Sequence, residues 1–156
     1  MNHEVEPLTL EDALLQLRGL MTGEADLVAN AANFSALLAP QLERINWLGF
    51  YFVRGEELVL GPFQGRPACV RIAPGQGVCG TALVTGETQV VGDVHEFPGH
   101  IACDPRSRSE VVVPLRDGER VVGVLDVDSP FTDRFGVDEV NYIEAMAAEF
   151  CRLQFG

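Results

Sequence analysis

Two β-branched runs, Glu110 to Leu115 and Arg120 to Val127, are joined through Asp117-Gly118, the dipeptide pattern that most strongly encodes a tight hairpin turn. Residues of this kind fit a pleated, half-buried surface. A hairpin alone is marginal in water, so its apolar side needs a cover. Val137 to Leu153 supplies one: Val140, Ile143, Met146, Ala147 and Phe150 fall on one face of a helix. Upstream, INWLGFYFVRGEELVLGPF (Ile45 to Phe63) repeats the strand signal on either side of Arg54-Gly55-Glu56, which reads as a second hairpin.

The remaining elements follow from punctuation. Met1 to Pro7 reads as a loose tail. Thr9, with Asp12 three positions on, caps a first helix to about Leu20, whose stripe is Leu14, Leu15, Leu17 and Leu20. A second helix from about Glu24 carries Leu27, Val28, Ala31, Phe34, Leu37 and Leu38 and stops at Pro40. Ala68 to Ile72 reads as a short strand, Val78 to Val84 as a short helix ended by Gly86, and Gln89 to Val91 as a brief strand. Gly92 to Ser109 is a polar connection of a length usually reserved for function. This order predicts an α+β domain over residues 1–156, with a mainly antiparallel sheet and helices gathered on one face.

Composition narrows the partners. Acidic residues outnumber basic ones 23 to 11, for a net charge of −12. Such a surface repels phosphate backbones and anionic membranes, so neither nucleic acid nor lipid is an expected partner. No apolar run approaches the roughly 20 residues of a membrane span, and no basic-then-apolar leader opens the chain, so a cytoplasmic location is expected.

In a reducing compartment the four cysteines are buried structural residues, metal ligands or redox thiols. Cys151, between Phe150 and Arg152 on the last helix, suits a structural role. Cys69 in ACVRI could equally be a core residue. Cys79 and Cys103 sit among glycines or in the polar connection, where reactive thiols tend to lie, and Arg106 and Arg108 follow Cys103 closely enough to favour its thiolate. Zinc would have to be assembled from well-separated cysteines with His95 or His100, because no pair has the close spacing of paired zinc ligands. No metal is therefore expected. No G-x-S-x-G elbow, P-loop or dinucleotide fingerprint is present.

Asp126 and Asp128 alternate along a strand, so both side chains point to the same face. They are either turn formers before Ser129-Pro130 or a cation-binding pair, since like charges on one face repel unless a cation relieves them. Trp47 and Tyr51 also share a face and are either core or the wall of a small apolar pocket.

Taken together, NWLGFYF, LVLGPFQG, ACVRI, GQGVCGTA, DVHEFPGHIACD, SEVVVPL and GVLDVDS closely resemble the free methionine-(R)-sulfoxide reductases, which are built on a GAF domain. The resemblance runs from about Ala31 to the last helix, and the spacing of the three cysteines is its most specific part. It implies a loop-covered pocket on the sheet face opposite the helices. It implies Cys103 as nucleophile, Cys69 as main resolving cysteine and Cys79 as an auxiliary or alternative one. Glu110, Asp126 and Asp128 match the acidic residues that hold substrate and assist proton transfer, and Trp47 and Tyr51 the aromatic wall around its methyl group. The same resemblance implies thioredoxin as reductant, no metal or organic cofactor, and a homodimer. Disulfide formation requires Cα atoms within about 7 Å, so the long connection is expected to move between reduced and oxidised forms. The competing expectations are a GAF module that binds a ligand or senses oxidation without turnover and, more distantly, a zinc-stabilised interaction domain.

Overall fold

A computed structural model describes residues 6–100 and 103–156. Residues 1–5 of the expected tail, and 101–102 within the long connection, lie outside the described residues. The helices are α1 (Leu10–Met21), α2 (Leu27–Leu38), α3 (Gly77–Thr85) and α4 (Val137–Phe155). The strands are β1 (Trp47–Arg54), β2 (Glu57–Gly65), β3 (Arg71–Ile72), β4 (Gln89–Val91), β5 (Ser109–Asp117) and β6 (Arg120–Ser129). They form one six-stranded sheet in the order β3-β2-β1-β6-β5-β4, every pair antiparallel. Both expected hairpins are present, β1–β2 and β5–β6, and the non-local β1–β6 pairing joins them.

Alternation along the strands sorts the two faces. Leu48, Phe50 and Phe52 of β1, Val111, Val113 and Leu115 of β5, and Leu125 and Val127 of β6 turn to one side. There they meet Ala13, Leu17 and Met21 of α1, Ala31, Phe34 and Leu38 of α2, and Ile143, Met146 and Phe150 of α4. Phe34, Phe50 and Phe150 pack ring against ring, with centroids 5.0–5.4 Å apart. Burying each such side chain contributes roughly 1.5–3 kcal/mol.

Helix ends follow their caps. Thr9 Oγ1 accepts from the Asp12 N–H (3.2 Å), as expected, whereas α2 begins at Leu27 because Asp26, not Glu24, caps it by accepting from Ala29 N–H (2.8 Å). Gly86 closes α3 in the left-handed region (φ 66°), where a side chain would be strained. Two readings of the stripes are corrected. Leu15 is 64% exposed and Leu20 is also outward, because α1 buries the row Ala13, Leu17 and Met21. Val28 is likewise exposed, while Asn30 is buried and satisfied by Glu24 O and Gln154 Oε1. Finally, α1, α2 and α4 share one face, but the short α3 packs on the other, its Val78, Cys79 and Ala82 against Trp47, Tyr51, Val112 and Val124.

Candidate active site

On the face carrying α3, strand register builds the site in rows. Trp47 of β1 lies opposite Asp128 of β6, which lies opposite Glu110 of β5. One step along, Gly49 pairs with Asp126 and Asp126 with Val112; beyond that, Tyr51 pairs with Val124. The three carboxylates are thus neighbours because alternation and register put them there. Gly49 leaves the space the aromatics need: a Cβ at this position would come within 2.8 Å of the Phe63 backbone and 2.9 Å of the Trp47 ring. With none present, Phe63 stacks on Trp47 at 5.2 Å and Trp47 on Tyr51 at 6.0 Å.

Glu110, Asp126 and Asp128 are only 7%, 5% and 9% exposed. Burial, first, and mutual repulsion, second, hold all three carboxyls well above the ordinary carboxylate range. Without a cation the cluster therefore keeps protons. Asp126 Oδ1 and Asp128 Oδ1 are buried without a hydrogen-bond partner among the described residues. An orphaned acceptor inside a protein is costly, and a ligand ammonium would satisfy both its need for a donor and the cluster's need for positive charge.

Cys79 enters the same cluster from the first turn of α3. A helix N-terminus usually favours thiolate. Here burial, first, and the neighbouring carboxyls of Asp126, Glu110 and Asp128, second, win, and the Cys79 thiol is pushed well up. Cys79, Glu110 and Asp126 offer one ligand atom each within 4.8 Å of one another, a set that would accept a divalent ion as well as an ammonium.

Cys69 and Cys103 are joined by a disulfide, Cα to Cα 5.5 Å. Cys103 lines a cavity of about 50 Å³ together with Trp47, Tyr51, Cys79, Glu110, Asp126 and Asp128. Of the residues singled out from the sequence, Cys103, Cys79, Glu110, Asp126, Asp128, Trp47 and Tyr51 line this cavity, while Cys69 is not among its lining residues and is tied to it through the bond to Cys103. Cys151 lies apart, half-buried and free, on α4.

The GAF domain family matches residues 20–152. A relative in Escherichia coli named free methionine-R-sulfoxide reductase is 49% identical, over 83% of this chain and 79% of its own length. The chain belongs to the GAF-domain family of free methionine-R-sulfoxide reductases. The Staphylococcus aureus protein fRMsr, in complex with substrate, is 45% identical with a TM-score of 0.89, covering 97% of this chain and 99% of that one. The free methionine-R-sulfoxide reductase of Neisseria meningitidis, also with its substrate, is 41% identical with a TM-score of 0.88, covering 98% and 95%.

Three features of this GAF domain escaped the sequence reading. Cys69 is not on a strand; β3 starts only at Arg71, because Pro67 brings no N–H and the segment before it is held by side chains. Those side chains are Trp47, whose Nε1 donates to Arg66 O (3.1 Å), and Tyr51, whose hydroxyl donates to Cys69 O (2.8 Å). On the opposite rim, Asn46 Nδ2 donates to Asp104 Oδ2 and Ser107 Oγ, each 3.1 Å. An asparagine just before a strand reads as a turn former, so nothing in the sequence flagged it. Arg106, expected beside the Cys103 sulfur, instead pairs with Asp104 through Nη2 (2.9 Å), and its hydrogen bonds hold that carboxyl down at about 2.

Proposed function

We propose that this chain reduces free methionine-(R)-sulfoxide to methionine. The observation that carries the reading is a disulfide-bonded cysteine pair whose Cys103 lines the same cavity as buried carboxylates with orphaned Oδ1 atoms. In the reduced protein the substrate ammonium sits on Asp126 and Asp128, and its methyl group lies against Trp47 and Tyr51. A carboxyl of the cluster, still protonated because its pKa is raised, donates to the sulfoxide oxygen and makes the sulfur electrophilic. The Cys103 thiolate attacks that sulfur. The oxygen ends on Cys103 as sulfenic acid and methionine leaves, its sulfur reduced by two electrons. Cys69 then displaces the hydroxyl, forming the disulfide and water. Cys79, buried and protonated, is the slower auxiliary thiol. A dithiol protein of the thioredoxin type reopens the disulfide, and the cover over the cavity withdraws to admit the next substrate.

Free amino acid is preferred over protein-bound residues because only the former brings an ammonium to the cluster. The test is direct. Reduced protein is mixed with each epimer of free methionine sulfoxide, and methionine and remaining thiols are counted. About one methionine and two lost thiols per chain are expected for the R epimer alone. Cys103→Ser should release none, and Cys69→Ser roughly a single equivalent when no reductant is present. Turnover by Cys103→Ser, or intact thiols with both epimers, would overturn the assignment.

A further inference from the structure

The bond between the Tyr51 hydroxyl and the Cys69 carbonyl has a role beyond walling the pocket. We propose that Tyr51 is a positioning residue for the disulfide-forming half of the cycle, its hydroxyl holding the Cys69 backbone so that the resolving sulfur stands over Cys103. The proposal rests on the function proposed above, with Cys69 as resolving thiol.

Two observations support it independently. First, Cys69 lies in an irregular segment that makes few connections of its own. Strand β2 ends at Gly65 and β3 begins at Arg71; between them Leu60 N–H donates to Val70 O (2.9 Å), and the two aromatic side chains supply further anchors, at Arg66 O and Cys69 O. Second, the anchors themselves are rigid. Trp47 and Tyr51 stand on β1, paired on both edges by β2 and β6, and Tyr51 is 2% exposed. Burial, first, and the nearby Asp126, second, keep the tyrosine phenol protonated, so its hydrogen remains available to the carbonyl. On the same strand edge Asn46 ties down Asp104 and Ser107, next to Cys103. One strand therefore positions both sulfur-bearing segments. Such fixed placement raises the effective concentration of one thiol at the other.

The step affected is the attack of Cys69 on the sulfur of the Cys103 sulfenic acid. The S–S bond forms, the S–O bond breaks, and the leaving oxygen departs as water with the Cys69 proton. No other oxidant is consumed. Tyr51→Phe keeps the aromatic ring and deletes only the tether. Two arms are compared, with sulfenic acid trapped by a dimedone-type reagent and free thiols counted over time. In one arm reduced protein receives the R sulfoxide; in the other it receives hydrogen peroxide, which leaves one oxygen on Cys103 and releases hydroxide.

In the sulfoxide arm the ratio of the disulfide-forming rate to the methionine-forming rate should fall roughly five-fold, as expected for loss of one hydrogen bond of ordinary strength, with sulfenic acid accumulating. In the peroxide arm disulfide formation should slow by the same factor. Trp47→Phe, which removes the more distant tether at Arg66, should shift both readouts in the same direction by less, and serves should Tyr51→Phe fail to fold. An unchanged ratio in folded protein, or parallel slowing of both steps, overturns the positioning role. If wild-type protein responds to peroxide and not to the sulfoxide, the proposed substrate is wrong, and the peroxide arm still decides the role of Tyr51.

Discussion

The two faces of the sheet are made by the same strands and obey opposite rules. On β6, Leu125 and Val127 enter a core with no polar partner to satisfy, while Oδ1 of Asp126 and of Asp128, on the other face, is buried without one among the described residues. On β1, Phe50 meets Phe34 and Phe150, while Gly49 beside it exists to leave space. The helical face gains stability from every side chain it buries. The pocket face loses stability by burying mutually repelling acids and recovers it when a cation arrives. The lesson is that function here is written as local frustration on a sheet whose other side supplies the surplus that tolerates it.

Substitutions on the two faces should therefore differ in sign. Phe50→Ala, on the helical face, should cost about 3–5 kcal/mol, read as a lower midpoint in denaturant. Asp126→Asn, on the pocket face, should do the reverse, raising the melting temperature while lowering kcat/KM for the R sulfoxide by roughly 100-fold, because the ammonium loses a desolvated partner. A gain of about 1 kcal/mol would appear as ~2–4 °C. The pH dependence follows with the same sign. The carboxyl pKa values are raised on folding, so the folded chain holds extra protons above the ordinary carboxylate range of about 4. Stability should fall as pH rises from there toward the raised values, and fall less steeply in Asp126→Asn. Gly49→Ala acts by sterics and not by charge: it forces a Cβ into Phe63 and should cost about 1–3 kcal/mol, lowering both melting temperature and substrate affinity. Equal and like-signed effects at Phe50 and Asp126 would erase the contrast between the faces.

Much of this was legible in the chain. Gln89–Val91 is a strand with the bounds its sequence indicated, and Asp117-Gly118 turns where its chemistry requires. The same-face pairing of Asp126 with Asp128 follows from alternation alone, and the helix cap at Thr9 from its side chain. What the chain did not disclose is set by distant register. That Glu110 faces Asp128 depends on how β5 meets β6, and the Tyr51–Cys69 bond links positions 18 residues apart. The surroundings of Cys79 were hidden for a related reason: its glycine neighbours do not disclose that burial, first, and the carboxyls arriving from β5 and β6, second, push its thiol up. Leu15 and Leu20 show the converse, since a leucine-rich helix does not reveal which of its leucines meets the core.

The bridge between Cys69 and Cys103 ties up the sulfur of the pair that lines the cavity. A spent molecule accordingly cannot take oxygen from another substrate, whether or not one enters, until its sulfurs are restored. Each turnover thus leaves a form that must meet a dithiol before it can work again.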